Sequence, residues 1–133
     1  NIDRLAAEGV LFENALSPVP LTLPAHSTMM TGSIPPYHGV HDNQNHRLGD
    51  ANVTLAEILK EVGFSTAAVI AAVVLDSRFG LNQGFDTYDD AFSRRAGKFF
   101  FNERNAQEVV TASNSWLEQH RENPFFLFLH TFE

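Results

Sequence analysis

The sequence has no cysteine among its 133 residues. That excludes a disulfide framework and a thiolate metal site. It also excludes any nucleophile derived from cysteine. Basic residues are scarce: nine Lys and Arg stand against sixteen Asp and Glu, for a formal net charge of −7. Nucleic acid is recognised by a basic face, so this balance argues against it as a main partner. A small anionic substrate remains compatible, because a bound cation reverses the local field. No apolar run approaches the roughly 20 residues that cross a bilayer, so no membrane span is expected in this segment. No signal peptide, internal repeat or low-complexity stretch is visible.

What is present is an ordinary globular composition, 44% apolar, in a chain long enough to bury roughly two-thirds of its unfolded surface. Ile2, Leu5 and Ala6 share a helical face that Gly9 ends. Val10 to Ala15 reads as a short strand. A second helix carries Pro24 in its first turn and ends at Gly32. Residues 33–53 read as a long irregular loop, of the kind that is functional or disordered. Thr54 with Glu57 forms a capping box, followed by an apolar stripe of Leu55, Ile58, Leu59 and Val62. Thr66 to Ile70 suits a buried parallel strand. Ala71 to Leu75 fits either strand or helical turn, and residues 76–98 read as a surface excursion. Asn105 with Glu108 offers another capping box, before a helix whose Ala106, Val109, Val110, Trp116 and Leu117 share a face. Phe125 to Leu129 reads as a fully buried strand. This alternation predicts an α/β fold with a mainly parallel sheet and helices on both faces.

The chemistry concentrates at Val19-Pro20-Leu21-Thr22-Leu23-Pro24-Ala25-His26-Ser27. A hydroxyl at a helix mouth faces unpaired backbone N–H groups and the positive end of the dipole, which suits a phosphate or sulfate ester. The plainer reading is that Thr22 is an N-cap. His26 lies one turn on. It could stabilise a nucleophile or an anionic oxygen, or simply bond a nearby carbonyl.

These residues carry a resemblance. Asn1-Ile2-Asp3-Arg4-Leu5-Ala6-Ala7-Glu8-Gly9-Val10 and Phe12-Glu13-Asn14-Ala15 resemble the opening of sulfatases. Thr22-x-Pro24-x-His26 falls where sulfatases carry Cys/Ser-x-Pro-x-Arg. Thr31-Gly32, Pro35, His38-Gly39-Val40 and Phe79-Gly80-Leu81-Asn82-Gln83-Gly84-Phe85-Asp86 follow in order. The resemblance covers essentially the whole chain. It implies an alkaline-phosphatase-like sheet, with residues 1–133 the N-terminal part of a hydrolase domain truncated at both ends. It also implies a metal-dependent hydrolase of sulfate or phosphate esters, extracytoplasmic, acting on a small anionic ester or sulfated glycan. Thr22 takes the nucleophile position, which related nucleotide pyrophosphatase/phosphodiesterases also fill with threonine, and would also bind the metal. His26 takes the position of the Arg. Calcium is the metal the resemblance favours, with zinc or manganese as options. The remaining ligands are expected in the rest of the parent chain, so the 133-residue piece alone is expected to be inactive.

Two departures stand out. His26 is neither permanently charged nor bidentate, as Arg is. Gly63-Phe64-Ser65-Thr66 resembles the start of a sulfatase motif, Gly-Tyr-x-Thr, that runs on to Gly-Lys-Trp-His, yet this chain has Ile70-Ala71-Ala72-Val73 there. The Lys and His that grip sulfate are missing, which brings in phosphate or phosphonate esters. It also brings in a catalytically silent module that binds an anion, glycan or protein. Asp89-Asp90 is read as a solvated loop, and His38, His41 and His46 as a loop too openly spaced for zinc. His130, at the end of the apolar strand, is read as structural or as lying behind the site, and Trp116 and Phe99-Phe100-Phe101 as packing.

Overall fold

The computed structural model describes residues 2–92 and 104–131. Five helices and three strands follow one another: α1 (Ile2–Glu8), α2 (Thr22–Thr31), α3 (Pro35–His38), α4 (Leu55–Glu61), β1 (Ser65–Val69), β2 (Thr87–Asp89), α5 (Ala106–His120) and β3 (Phe125–Leu129). The strands form a parallel sheet in the order β2-β1-β3. Ala67 pairs with Thr87 on one side of β1 and with Leu127 on the other. The central strand is buried from Thr66 to Val69, as its uninterrupted small and apolar run predicts.

Alternation along β3 sorts the two layers. Phe126 and Phe128 pack into a cluster with Leu23 and Met30 of α2, Ile70, Leu75 and Phe79. Leu127 turns the other way, onto Val69, Ala71 and the Val109 and Ala112 side of α5. Helices therefore cover both faces. Both capping boxes form. Thr54 Oγ1 accepts from Glu57 N at 3.2 Å while Thr54 N donates to Glu57 Oε2 at 2.8 Å. Asn105 and Glu108 do the same at 2.9 and 3.1 Å.

Several expectations are corrected. Val10 to Ala15 is irregular, with Val10, Leu11 and Phe12 exposed; it has no strand partner among the described residues, and an extended segment needs one. β3 is half-exposed rather than fully buried, because it lies at the sheet's edge. Residues 76–92 are more than a surface excursion: Phe79 and Leu81 are buried and Thr87–Asp89 is a sheet strand. Ala71 to Leu75 ends in a 3₁₀ turn at Val73–Leu75. The loop at 33–53 is ordered around α3 and sends Val40 and Leu48 into the core. The apolar stripe of α4 faces outward, with Ile58 and Val62 exposed; the helix docks through Ala56 instead. Asp89 and Asp90 are not a solvated pair. Asp89 meets the buried Arg104 at 2.8 Å, and Asp90 Oδ2 accepts from Ser77 N. Phe99 to Phe101 lie outside the described residues. No described helix is long and apolar enough to cross a membrane.

Candidate active site

The first turn of α2 is built by what its residues lack. Leu21 is extended and occupies the N-cap position, but it has no side-chain acceptor to offer. Thr22 is thus the first helical residue rather than the cap. Its hydroxyl has no hydrogen-bond partner among the described residues. Pro24 has no N–H to satisfy, which suits this turn. At the far end Gly32 takes a left-handed conformation, φ 66°, and its N–H closes on Thr28 O.

The cap that α2 cannot make locally comes from the long loop. Asn43 Oδ1 accepts from Leu23 N at 2.9 Å. Ala25 N already donates to Leu21 O. The expected row of open amides therefore shrinks to Thr22 N–H, the one first-turn amide without a partner among the described residues. Asn43 escaped the sequence reading because a cap twenty residues away leaves no local signature. The available hint was its place in a long loop rich in Asn, Asp and His.

That loop is held firmly. His38 is buried; its Nδ1 accepts from Val40 N, so its Nε2 carries the proton and donates to Thr28 Oγ1 at 3.1 Å. Burial, and to a smaller degree the nearby His41, pushes its pKa down. Asp42 accepts backbone N–H from Asn45 and Gln44, the first being the larger cause of a carboxyl held well below its usual range. His46 Nδ1 lies 3.2 Å from Asp42 Oδ2. Asn43 is thus presented from a turn pinned on both sides.

His26 folds back on its own helix, where Nδ1 lies 2.7 Å from Thr22 O. A carbonyl only accepts, so Nδ1 carries the proton and Nε2 is left as a lone pair. Burial lowers the His26 pKa and outweighs the opposing pull of that bond. A protonated His26, which could have bound an anionic oxygen, is thereby disfavoured. His130, just past β3, stands edge-on to His26 with centroids 5.1 Å apart. This contact sets the first turn of α2 beside the carboxyl end of the sheet, where open α/β sheets carry their sites. Thr22, His26 and Asn43 thus converge, with His130 behind them. Asp89, Asp90 and Trp116 do not join them. Among the described residues no group of three His, Cys, Asp or Glu could hold a metal ion.

Comparisons with known proteins bear on the family and the fold. The family model described as Sulfatase matches residues 1–133. The chain is 27% identical over 142 residues to an N-acetylglucosamine-6-O-sulfatase of Bacteroides thetaiotaomicron, covering 98% of this chain and 25% of that protein. It is 32% identical over 81 residues to the human N-acetylgalactosamine-6-sulfatase, covering 52% of this chain and 16% of that one. One solved structure, in complex with its substrate D-glucosamine-2-N,6-O-disulfate, superposes with a TM-score of 0.74 at 23% identity over 98% of this chain and 28% of its own. A 2-O GAG sulfatase superposes with a TM-score of 0.67 at 24% identity over 98% of this chain and 28% of its own. The chain thus spans about a quarter or less of the curated relatives it matches, and its own fold is theirs in part. With a family match over its full length and an alkaline-phosphatase-like α/β arrangement, the chain belongs to the sulfatase family.

Proposed function

We propose that the protein containing this chain hydrolyses sulfate esters of sugars, with Thr22 as its nucleophile. One observation carries the reading. The Thr22 hydroxyl stands unengaged in the first turn of α2, one helical turn from an imidazole and beside the sheet's carboxyl edge. In this reading Thr22 Oγ1 attacks sulfur as its proton passes, through a water, to the bare Nε2 of His26; the S–O bond to the sugar breaks, and the sugar oxygen takes that proton back from His26 as it leaves. Water then attacks the sulfur of the Thr22 sulfate ester, releasing sulfate and restoring the hydroxyl. Asn43, whose Oδ1 is committed to Leu23, has its NH₂ available for an oxygen of the ester.

Sulfatases are generally metal-dependent, and the residues here fit that requirement in part. The unengaged hydroxyl of Thr22 is a hard oxygen donor suited to a divalent cation such as calcium, with zinc or manganese as the other candidates. The other ligands would be residues beyond 1–133, so the isolated piece is expected to be inactive. When bound, the cation would stabilise charge developing on the attacking and ester oxygens. Sulfated amino sugars are the proposed substrate class, as the names of the sulfatase relatives indicate.

A second reading, phosphate or phosphonate esters, is favoured by one feature. Ile70, Ala71 and Ala72 are buried and apolar where sulfatases carry part of a Lys- and His-bearing motif. Turnover of the full-length protein on a sulfated amino sugar, an aryl sulfate and an aryl phosphate decides between them. Thr22→Ala should lower turnover on the true substrate by about 10³-fold or more while the fold survives. Retained turnover would refute the nucleophile assignment.

A further inference from the structure

His130 is fixed at its backbone, where its N–H donates to Val69 O at 3.0 Å. Its ring meets the His26 ring edge-on, with an interplanar angle of 74°. Phe128, two residues earlier and so on the same strand face, meets His26 the same way at 5.7 Å and 70°. His26 is therefore braced by the rings of Phe128 in β3 and His130 just past it, and tied to the Thr22 carbonyl. A further fact bears on His130 itself. Its Nδ1 is buried and has no hydrogen-bond partner among the described residues. Among the described residues that nitrogen has no partner, and the ring's contact with His26 is the side-chain interaction they show for His130.

We propose that His130 is a positioning residue for the reaction at Thr22, acting through His26: its ring holds the imidazole in the orientation that bonds the Thr22 carbonyl and leaves Nε2 bare as a proton acceptor. The inference rests on Thr22 as nucleophile. Without the brace, His26 gains rotamers, the bond to Thr22 O is broken part of the time, and the turn that carries the hydroxyl loosens. Small misplacements of this kind act on the chemical step more than on binding.

The test uses the full-length protein. His130→Ala should lower kcat about tenfold with KM within about twofold, whereas His130→Phe, which keeps the ring, should hold kcat within about threefold. In a His26→Ala background, His130→Ala should cause no further loss, because the two act as one unit. Nitrogen NMR of the histidine side chains reads the same coupling without activity. The His26 Nδ1–H signature should persist in His130→Phe and fade in His130→Ala. Should His130→Ala fail to fold, His130→Leu, which fills the volume without a ring, replaces it in every arm. An equal loss of kcat in both His26 backgrounds, an unchanged His26 spectrum, or a loss confined to melting temperature would overturn the proposal. Turnover by Thr22→Ala would defeat the nucleophile reading instead, and the NMR comparison would still report on His130 and His26.

Discussion

Replacing Asn43 tests whether the long loop builds the mouth of α2. Asn43→Ala deletes the acceptor for Leu23 N–H, and Leu23 is completely buried. Losing an N-cap costs about 1 kcal/mol, and leaving a buried donor without a partner costs about 1–3 kcal/mol. Asn43 itself is half-buried, so water reaches the vacated place in part, and the expected loss is about 1.5 kcal/mol. Asn43→Asp separates support from binding. Its carboxylate still accepts from Leu23 and lies at the favourable end of the helix dipole, so stability should stay within about 0.5 kcal/mol of the parent. In the proposed reaction the same negative charge would face an anionic ester. At an effective dielectric near 20 a like charge about 8 Å away costs about 2 kcal/mol, so KM should rise by tenfold or more and recover in part at high salt. Urea unfolding followed by circular dichroism and steady-state kinetics at two salt concentrations give both readouts. An Asn43→Asp protein as unstable as Asn43→Ala would refute the cap. A KM unmoved by the added charge would refute the placement of Asn43 at the substrate.

Gly84 has φ +81°, and a Cβ there would lie 2.2 Å from Glu57 N and 2.6 Å from Ala56 C, so Gly84→Ala should cost about 3 kcal/mol or more by forcing α4 off the sheet. A wild-type urea midpoint for Gly84→Ala would refute the close docking of α4. His38 is pushed below its ordinary pKa by burial, with His41 adding to the shift. The unfolded chain then binds more protons, so the stability His38 provides is complete above about pH 6.5 and is lost as pH falls through its lower folded value. His26 and His130 are shifted the same way by burial. Urea midpoints should therefore drop on acidification from pH 7, with a shallower slope in His38→Gln, and a flat profile in the parent would refute the burial argument.

The parts of the fold written in local chemistry were legible. Both capping boxes pair as their three-residue spacing requires, and the β1 run is central and buried. Pro24 and Gly32 bound α2 for the reasons their backbones dictate. What was hidden depends on partners distant in sequence. The strand Thr87–Asp89 is too short to show a period, and it exists because β1 offers an edge. Val40 and Leu48 look like stray apolar residues in a polar loop until α2 and Phe79 surround them. The stripe of α4 is a true helical pattern, but close backbone approach at Gly84 docks the helix through Ala56 instead. The site divides similarly. The i, i+4 relation of Thr22 and His26 follows from helix geometry, whereas the Asn43 cap and the His130 contact depend on loop path and strand position.

The same packing explains why the apolar replacements at 70–73 bear on substrate choice. Ile70 is completely buried in the cluster that includes Leu23, one residue from the candidate nucleophile. Ala71 is completely buried in the opposite cluster with Val69 and Val109, and its carbonyl accepts from Arg104 N. A lysine at Ala71 would have to place an amine against Val109, and burying an unpaired charge is among the costliest changes a core can suffer. The cation that sulfatases carry in this stretch therefore cannot return as a single surface substitution here. Within residues 1–133, whatever steadies the ester's oxygens in the proposed reaction comes from α2 and the loop that caps it. In this chain that leaves the Thr22 N–H, the Asn43 amide and a His26 whose burial favours the neutral form. Neutral donors of this kind distinguish a sulfate monoester from a more highly charged phosphate monoester weakly. If, as proposed, a cation reads much of the substrate's charge, exchanging one divalent metal for another in the full-length protein should shift the ratio of aryl sulfate to aryl phosphate turnover by about tenfold or more, more than Asn43→Ala does. A ratio that follows Asn43 and ignores the metal would place discrimination in the loop instead.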